Sequence, residues 1–369
     1  MRIGIDARIT HYTRGGISIY ARRLLEALPA LDPENDYVVL HSRKDREPPG
    51  KGPNVHPLAC WTPAHHRLER WALGLEIAGR RLDLLHTTDF IPPAFGARRF
   101  VITVHDLNFL HYPEFLTAES RRYYNGQIQW AVGHADHILA DSHATKRDLA
   151  EMVDVPEEKV TVVHLAADPI FRPQPADEVR RITAKYGLRP GYLLFVGTLE
   201  PRKNLPGLMV AYRTLLDNGV TDAPLVLVGG KGWLYETIFA CVQDMALKEH
   251  VRFLHGVPTV NLPALYTAAA LLTTPSFYEG FGLPALEAMS CGTPVTVADR
   301  ASLPEVVGDA GLLFDPDDSD DIARALAQVL TDDVLRGQMR QRGLAQAGHF
   351  TWEQTARQTL TVYRQVLHA

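Results

Sequence analysis

Two glutamates, Glu279 and Glu287, bracket the run Gly280, Phe281, Gly282, Leu283, Pro284. The apolar run ALLTTP ahead of them reads as a buried parallel strand. Pro is favoured at the start of a helix, so a short helix is expected from about Pro284 to Ser290, with Gly292 as its left-handed cap. Free backbone N–H groups and the positive end of the helix dipole make such a turn an anion site. A phosphate seated there would lie between the two carboxylates. Like charges repel, so each carboxylate is suited to neutral hydroxyls instead. Glu287, about a turn inside the helix, would take the two hydroxyls of a ribose, and Glu279, ahead of the helix, those of a second sugar. A ligand ordered hydroxyls–diphosphate–hydroxyls is a nucleotide sugar. The plainer reading, one solvated and one capping glutamate, would suffice for the spacing alone. The surrounding Gly-Phe-Gly-Leu-Pro and Cys-Gly-Thr-Pro tell against it.

A second cluster follows the strand-like run YLLFVGT, which ends in Gly197 and Thr198. Arg202 and Lys203 come next, just ahead of a helix, where the positive dipole end disfavours cations that have no ligand. A leaving diphosphate needs neutralising, and each charge-assisted hydrogen bond is worth roughly 1.5–3 kcal/mol. The two side chains could therefore stand in for a metal ion. His105 and Asp106 end the run FVITV. His105 is either a structural histidine or a contact to substrate, and Asp106 reads as an orienting or capping group. Ser142 reads first as a helix cap. Asp318-Ser319-Asp320 matches a metal-binding D-x-D pair, but it directly precedes the helical IARALAQVL, so capping explains it better.

The elements that position these residues alternate. RIGID, DYVVLHS, LDLLHT, FVITVHD, DHILADS and VTVVHLA are strand-like, with helical stretches such as Ile17–Leu28 between most of them. A second series runs YLLFVGT, APLVLVG, VRFLHG, ALLTTP, TPVTVA and GLLF. This pattern predicts an α/β fold, two Rossmann-like, doubly wound parallel sheets with ligands at the carboxyl ends of the strands. The proline-rich LAADPIFRPQPAD marks the boundary. The expected domains are 1–167, joined by a terminal helix over 352–369, and 168–351.

The block YEGFGLPALEAMSCGTPV, supported by GTLEPRKN, resembles the signature of retaining glycosyltransferases of family 4. That resemblance implies the GT-B fold, with two domains facing a central cleft, and a donor held mainly by the second domain. It implies that Gly15 and Gly16 lie across the donor phosphates and shape the acceptor side, and that His105 sits near the reacting sugar carbon. It places Gly197 and Thr198 beside the phosphates, and His255 and Gly256 around the base. Lys203 matches the family's lysine. Many members carry an arginine where this chain has Thr198, so Arg202 is a displaced substitute. Glu305 falls in a segment supporting the nucleotide end. GIDARI, VHDLNFLHYPE and GTLEPRKN are similar to mannosyltransferases of bacterial surface polysaccharide, which implies GDP-mannose as donor and a saccharide, lipid-linked or small-molecule acceptor. The rivals are a UDP-sugar glucosyltransferase, a non-catalytic nucleotide-sugar sensor, and a phosphorylase, which would need a pyridoxal-bearing lysine that is not apparent.

Composition sets the outer limits. At 369 residues the chain suits two domains, and a net charge of −5 argues against a general nucleic-acid binder. Three scattered cysteines, Cys60, Cys241 and Cys291, suggest no disulfide framework or zinc site and fit a reducing cytosol. The first residues already read as a strand, so neither a signal peptide nor a membrane span is expected, and no cofactor or metal is implied. In HHRLERWALGLEIAGRR, Leu68, Trp71, Ala72 and Leu75 fall at helical spacing. They are expected to face the core. The alternative is an interfacial helix at the inner face of a membrane, reaching a lipid-linked acceptor.

Overall fold

The structure is a computed structural model that describes residues 1–13, 15–115, 118–232 and 234–368. It divides into two compact units, Met1–Leu165 with Thr351–Ala369, and Ala166–Phe350.

The first unit is built on seven strands: β1 (Arg2–Asp6), β2 (Asp36–Ser42), β3 (Val55–Cys60), β4 (Leu82–Thr87), β5 (Ala97–Val104), β6 (His137–Ala140) and β7 (Val160–Val162). All pair in parallel, in the order β3-β2-β1-β4-β5-β6-β7. Ile3, Ile5, Val39, Leu84, Ile102 and Val104 are buried, as strands covered on both faces require. The order reverses between β1 and β4, so the loops after these two strands flank a crevice. Strand β3 was not expected from the sequence. It holds Pro57 and is exposed at His56, Pro57 and Ala59, which an edge strand tolerates. The terminal helix Trp352–His368 packs on this sheet: the Thr355 hydroxyl donates to the His164 carbonyl at 2.7 Å, and Tyr363 Oη lies 2.6 Å from His86 Nδ1.

The helix Glu69–Ile77 overturns the expected orientation. Leu68, Trp71 and Leu75 are 61, 62 and 72% exposed, while Glu69, Leu73, Gly74 and Ile77 are buried. Two contacts set this rotation. The guanidinium of Arg8, itself fully buried, donates to Asp6 and also to Glu69 at 2.5 Å, so Glu69 must point inward. On the same side Leu73 and Ile77 join a core cluster with Val38, Leu40, Leu82 and Phe100. Turning the helix over would take one of its two carboxylates from the buried Arg8 and expose Leu73 and Ile77, which outweighs the burial of three other apolar side chains.

The second unit has six parallel strands: β8 (Leu193–Val196), β9 (Leu225–Val228), β10 (Val251–Leu254), β11 (Leu271–Thr274), β12 (Val295–Ala298) and β13 (Gly311–Phe314). Their order is β10-β9-β8-β11-β12-β13, so the reversal lies between β8 and β11. The loops that follow these two strands carry Arg202, Lys203 and Glu279. Asp318 caps the helix Ser319–Thr331, accepting from the N–H groups of Asp320 and Asp321, as its position predicts. Ser142 likewise caps His143–Val153 by accepting from Thr145 N–H.

Candidate active site

In the second unit the two loops are tied together. Phe277 N–H donates to the Arg202 carbonyl at 3.0 Å. Lys203 Nζ donates to Glu279 Oε1 at 2.6 Å, and the Ser276 hydroxyl donates to the same oxygen at 2.6 Å. Arg202 Nη1 donates to the Tyr278 carbonyl at 2.7 Å and to Glu279 Oε2 at 3.1 Å. Its Nε and Nη2 both donate to Glu200 Oε1, at 3.1 and 2.7 Å. Burial alone would push the Glu279 carboxyl up, but Lys203 and Arg202 outweigh it and hold it down at about 2. The sequence reading put the two cations with a phosphate and Glu279 with a sugar. In the structure the cations are ion-paired to Glu279 and Glu200, and the site is balanced within itself.

Glycines let these loops approach. Gly282 is the N-cap of the helix Leu283–Ser290 with φ +102°, and a Cβ there would stand 2.8 Å from Leu303 Cδ2. Pro284 takes the second helical position rather than the first. Phe281 and Leu283 flank the cap, and Phe281 is buried edge-on against Phe350. Gly280 joins Glu279 to this turn. Gly197 and Thr198 lead out of β8 over the Lys203 stem, whose Cε would be 3.7 Å from a Cβ at Gly197. Gly229 was not singled out from sequence, yet a Cβ there would be 1.8 Å from the Gly197 carbonyl oxygen. It is required where the chain leaving β9 runs alongside the chain leaving β8, with Leu199 N–H donating to the Gly230 carbonyl at 2.9 Å.

Glu287 is in a different environment. Its Oε2 accepts from the Tyr266 hydroxyl at 2.8 Å, and burial pushes its carboxyl up to about 8. At the end of β10, His255 Nδ1 lies 2.7 Å from the Gly229 carbonyl and its ring stacks on Phe253, while Gly256 takes φ +64°.

In the first unit, His105 Nδ1 lies 2.7 Å from Asp141 Oδ2 and Nε2 lies 2.9 Å from the Thr88 carbonyl. The Thr88 carbonyl only accepts, so Nε2 carries a proton, and with Asp141 ionised Nδ1 carries one too and the ring is an imidazolium. Burial opposes this charge, but Asp141 raises the ring to about 9. A contact from His105 Nε2 to a sugar would therefore replace its bond to Thr88. The helix Gly16–Leu31 reaches the same place: the Tyr20 ring meets the His105 ring edge-on at 5.1 Å. Gly15 is the N-cap of that helix, and a Cβ there would meet no atom within 4 Å.

Sequence reasoning missed Asp141, Glu200, Ser276 and Tyr266. Asp141 and Glu200 stand one or two residues from positions it did select, Ser142 and Arg202. The available signal was chemical: a cation near the end of a buried strand needs a carboxylate close by.

Comparisons with known proteins identify the family and the fold. Residues 14–170 match the family described as "Glycosyltransferase Family 4", and residues 178–346 match "Glycosyl transferases group 1". The chain is 38% identical to the O-antigen chain mannosyltransferase B of Escherichia coli, over 81% of this chain and 78% of that protein. It is 30% identical to a D-inositol 3-phosphate glycosyltransferase of Corynebacterium urealyticum, over 95% of this chain and 90% of that one. Its fold is similar to that of a sucrose-phosphate synthase from Thermosynechococcus elongatus, with a TM-score of 0.80 at 22% identity over 100% of this chain and 99% of the other.

Proposed function

The chain belongs to glycosyltransferase family 4 and is a nucleotide-sugar glycosyltransferase of the GT-B fold, and from that premise we propose that it transfers mannose from GDP-mannose, with retention, to an acceptor hydroxyl in the assembly of a cell-surface polysaccharide or glycolipid. The observation that carries the choice of sugar is the 38% identity to an O-antigen chain mannosyltransferase. The proposed domain division is that of the sequence reading, with the donor in the second domain.

The roles follow from the site. Arg202, Lys203 and the N–H groups at Gly282–Leu283 take the diphosphate. Gly197, Thr198 and Gly280 let it approach the backbone, with Gly15 and Gly16 on its acceptor side. Glu287 takes the ribose, and Glu279 takes the sugar hydroxyls once the diphosphate has drawn Lys203 and Arg202 away from it. His255 and Gly256 border the base. His105, an imidazolium, serves as a donor to sugar or acceptor and cannot be the base. The anomeric C–O bond to phosphate breaks, a bond from the acceptor oxygen forms on the same face, and the acceptor proton passes to the departing phosphate oxygen. Two cations beside a helix N-terminus support metal-independent transfer, because they can neutralise a leaving diphosphate once it has drawn them from Glu279.

A cytoplasmic setting at the inner membrane face is part of the proposal. Among the described residues no helix is long and apolar enough to cross a membrane. The support for surface contact is the outward stripe Leu68, Trp71 and Leu75.

A panel of GDP-mannose, GDP-fucose, UDP-glucose and UDP-galactose, with and without chelator, tests the reading. The expected outcome is hydrolysis or transfer with GDP-mannose alone, unchanged by chelator. Turnover only with a UDP-sugar would overturn the donor. Loss with chelator, restored by magnesium, would overturn metal independence.

A further inference from the structure

We propose that Glu200 tunes product release by keeping the diphosphate-binding cations charge-balanced when the site is empty. The proposal rests on the assignment of Arg202 and Lys203 to the donor diphosphate.

Four charged side chains meet at the ends of β8 and β11. Their side chains are 14% (Arg202), 9% (Lys203), 3% (Glu200) and 10% (Glu279) exposed, two cations against two carboxylates. The carboxylates differ in task. Glu279 bonds both cations and Ser276, and its carbonyl accepts from the Ser302 hydroxyl at 2.8 Å, so it is built into the helix entry. Glu200 contacts the cluster through one oxygen, Oε1, which accepts from both Nε and Nη2 of Arg202. The amide oxygen of a glutamine at this position could accept the same two bonds. Alignment of Arg202 therefore does not require a carboxylate. What the carboxylate adds over an amide is the charge that the buried guanidinium needs when no anion is bound.

The explanation lies in the ligand. A nucleoside diphosphate leaves with more negative charge on the phosphate than it had as the sugar ester. Two unopposed buried cations would hold that product tightly and slow its exit. With Glu200 in place, the diphosphate enters a cluster that is neutral before it arrives. When the product departs, Glu279 and Glu200 again neutralise Lys203 and Arg202, so the empty site has no unpaired cation to penalise release. Glu200 is thus a positioning and charge-setting residue that acts through Arg202.

The test compares wild type, Glu200→Gln and Glu200→Asp as full-length protein. Calorimetry with GDP and UDP gives affinity, and steady-state and single-turnover kinetics separate release from chemistry. The glutamine variant should bind its nucleoside diphosphate about tenfold more tightly, the scale on which one buried charge alters a charge-assisted contact. Its single-turnover rate should be near wild type, its steady-state turnover lower, and a burst of product should appear. The aspartate variant keeps the charge on a shorter arm and should not gain affinity. Unchanged or weaker diphosphate binding by Glu200→Gln, with its melting temperature near wild type, overturns the proposal. Equal tightening by Glu200→Asp overturns it too, since alignment rather than charge would then be responsible. If wild type binds neither nucleotide, the donor-site reading fails first and takes this inference with it.

Discussion

Glu279 is held ionised by Lys203 and Arg202, whereas Glu287 accepts from the neutral hydroxyl of Tyr266. That difference makes their alanine variants differ in kind. Glu287→Ala should weaken sugar-free GDP and the full donor alike, by about 1–3 kcal/mol from lost hydroxyl contacts. Glu279→Ala removes the carboxylate that Lys203 and Arg202 share and leaves Arg202 on Glu200, so GDP binding should be retained or tightened while turnover falls by roughly a hundredfold or more, the scale of losing a preorganised contact. Calorimetry set beside turnover decides it; loss of GDP binding in Glu279→Ala alone would reverse the donor's direction. Glu287 also gives a pH signature. Its folded pKa of about 8 lies above the ordinary carboxyl value of 4.5, so the folded state holds a proton that the unfolded chain has released. Stability from this group is full below 4.5 and is lost as pH rises through about 8. Wild type should therefore lose melting temperature relative to Glu287→Gln as pH rises across that window, groups common to both proteins cancelling in the difference. A constant difference would place the Glu287 proton elsewhere.

The loops after β8 and β9 meet backbone to backbone, and Gly229 is the element-scale control on that meeting. Gly229→Ala drives a methyl group into the Gly197 carbonyl. Overpacking of this kind costs roughly 1–3 kcal/mol, and here the displaced segment leads to Lys203. The variant should melt several degrees lower, since roughly 2–4 °C is lost per kcal/mol at this unit size, and should bind GDP more weakly. Normal melting and normal binding would show that the two loops move apart freely. Gly229 was invisible in the sequence because its constraint comes from a strand neighbour, not from its own turn. The same distinction separates what was legible from what was not. Among the described residues, twelve of the thirteen strands were read from apolar runs, because strands covered on both faces carry their burial in their own composition. β3 escaped because an edge strand need not be apolar. The helix Glu69–Ile77 was rotated wrongly because its anchor, Arg8, lies 61 residues away from Glu69. Within the candidate site, residue types at turns were legible. The pairing of Lys203 with Glu279, 76 residues apart, was not, since it depends on which two strands adjoin at the reversal.

At the scale of the molecule, a net charge of −5 conceals a local excess of the opposite sign. Around the helix Glu69–Ile77, Arg67, Arg80 and Arg81 are exposed, and the Arg43 guanidinium lies 3.9 Å above the ring of Trp61, which is 70% exposed. The two acids of the helix are engaged from within. Glu69 is buried on Arg8, and Glu76 is occupied by the N–H groups of Trp61 and Thr62. The outward face thus offers Trp61, Leu68, Trp71 and Leu75 among arginines, the composition of a helix that lies in a membrane interface. Each arginine near an anionic bilayer contributes about 1 kcal/mol, which salt weakens, and the apolar side chains add burial that salt does not weaken. The protein should sediment with vesicles of mixed phosphatidylglycerol and phosphatidylcholine, and much less with phosphatidylcholine alone. A Trp71→Glu, Leu75→Glu double variant should stay in solution with both while turning over GDP-mannose with a soluble acceptor at the wild-type rate. The substituted positions are exposed, so folding is not at stake, and near-identical melting temperatures check that point. Equal sedimentation of the variant and wild type would remove the membrane from the proposal and leave the soluble reaction as it stands.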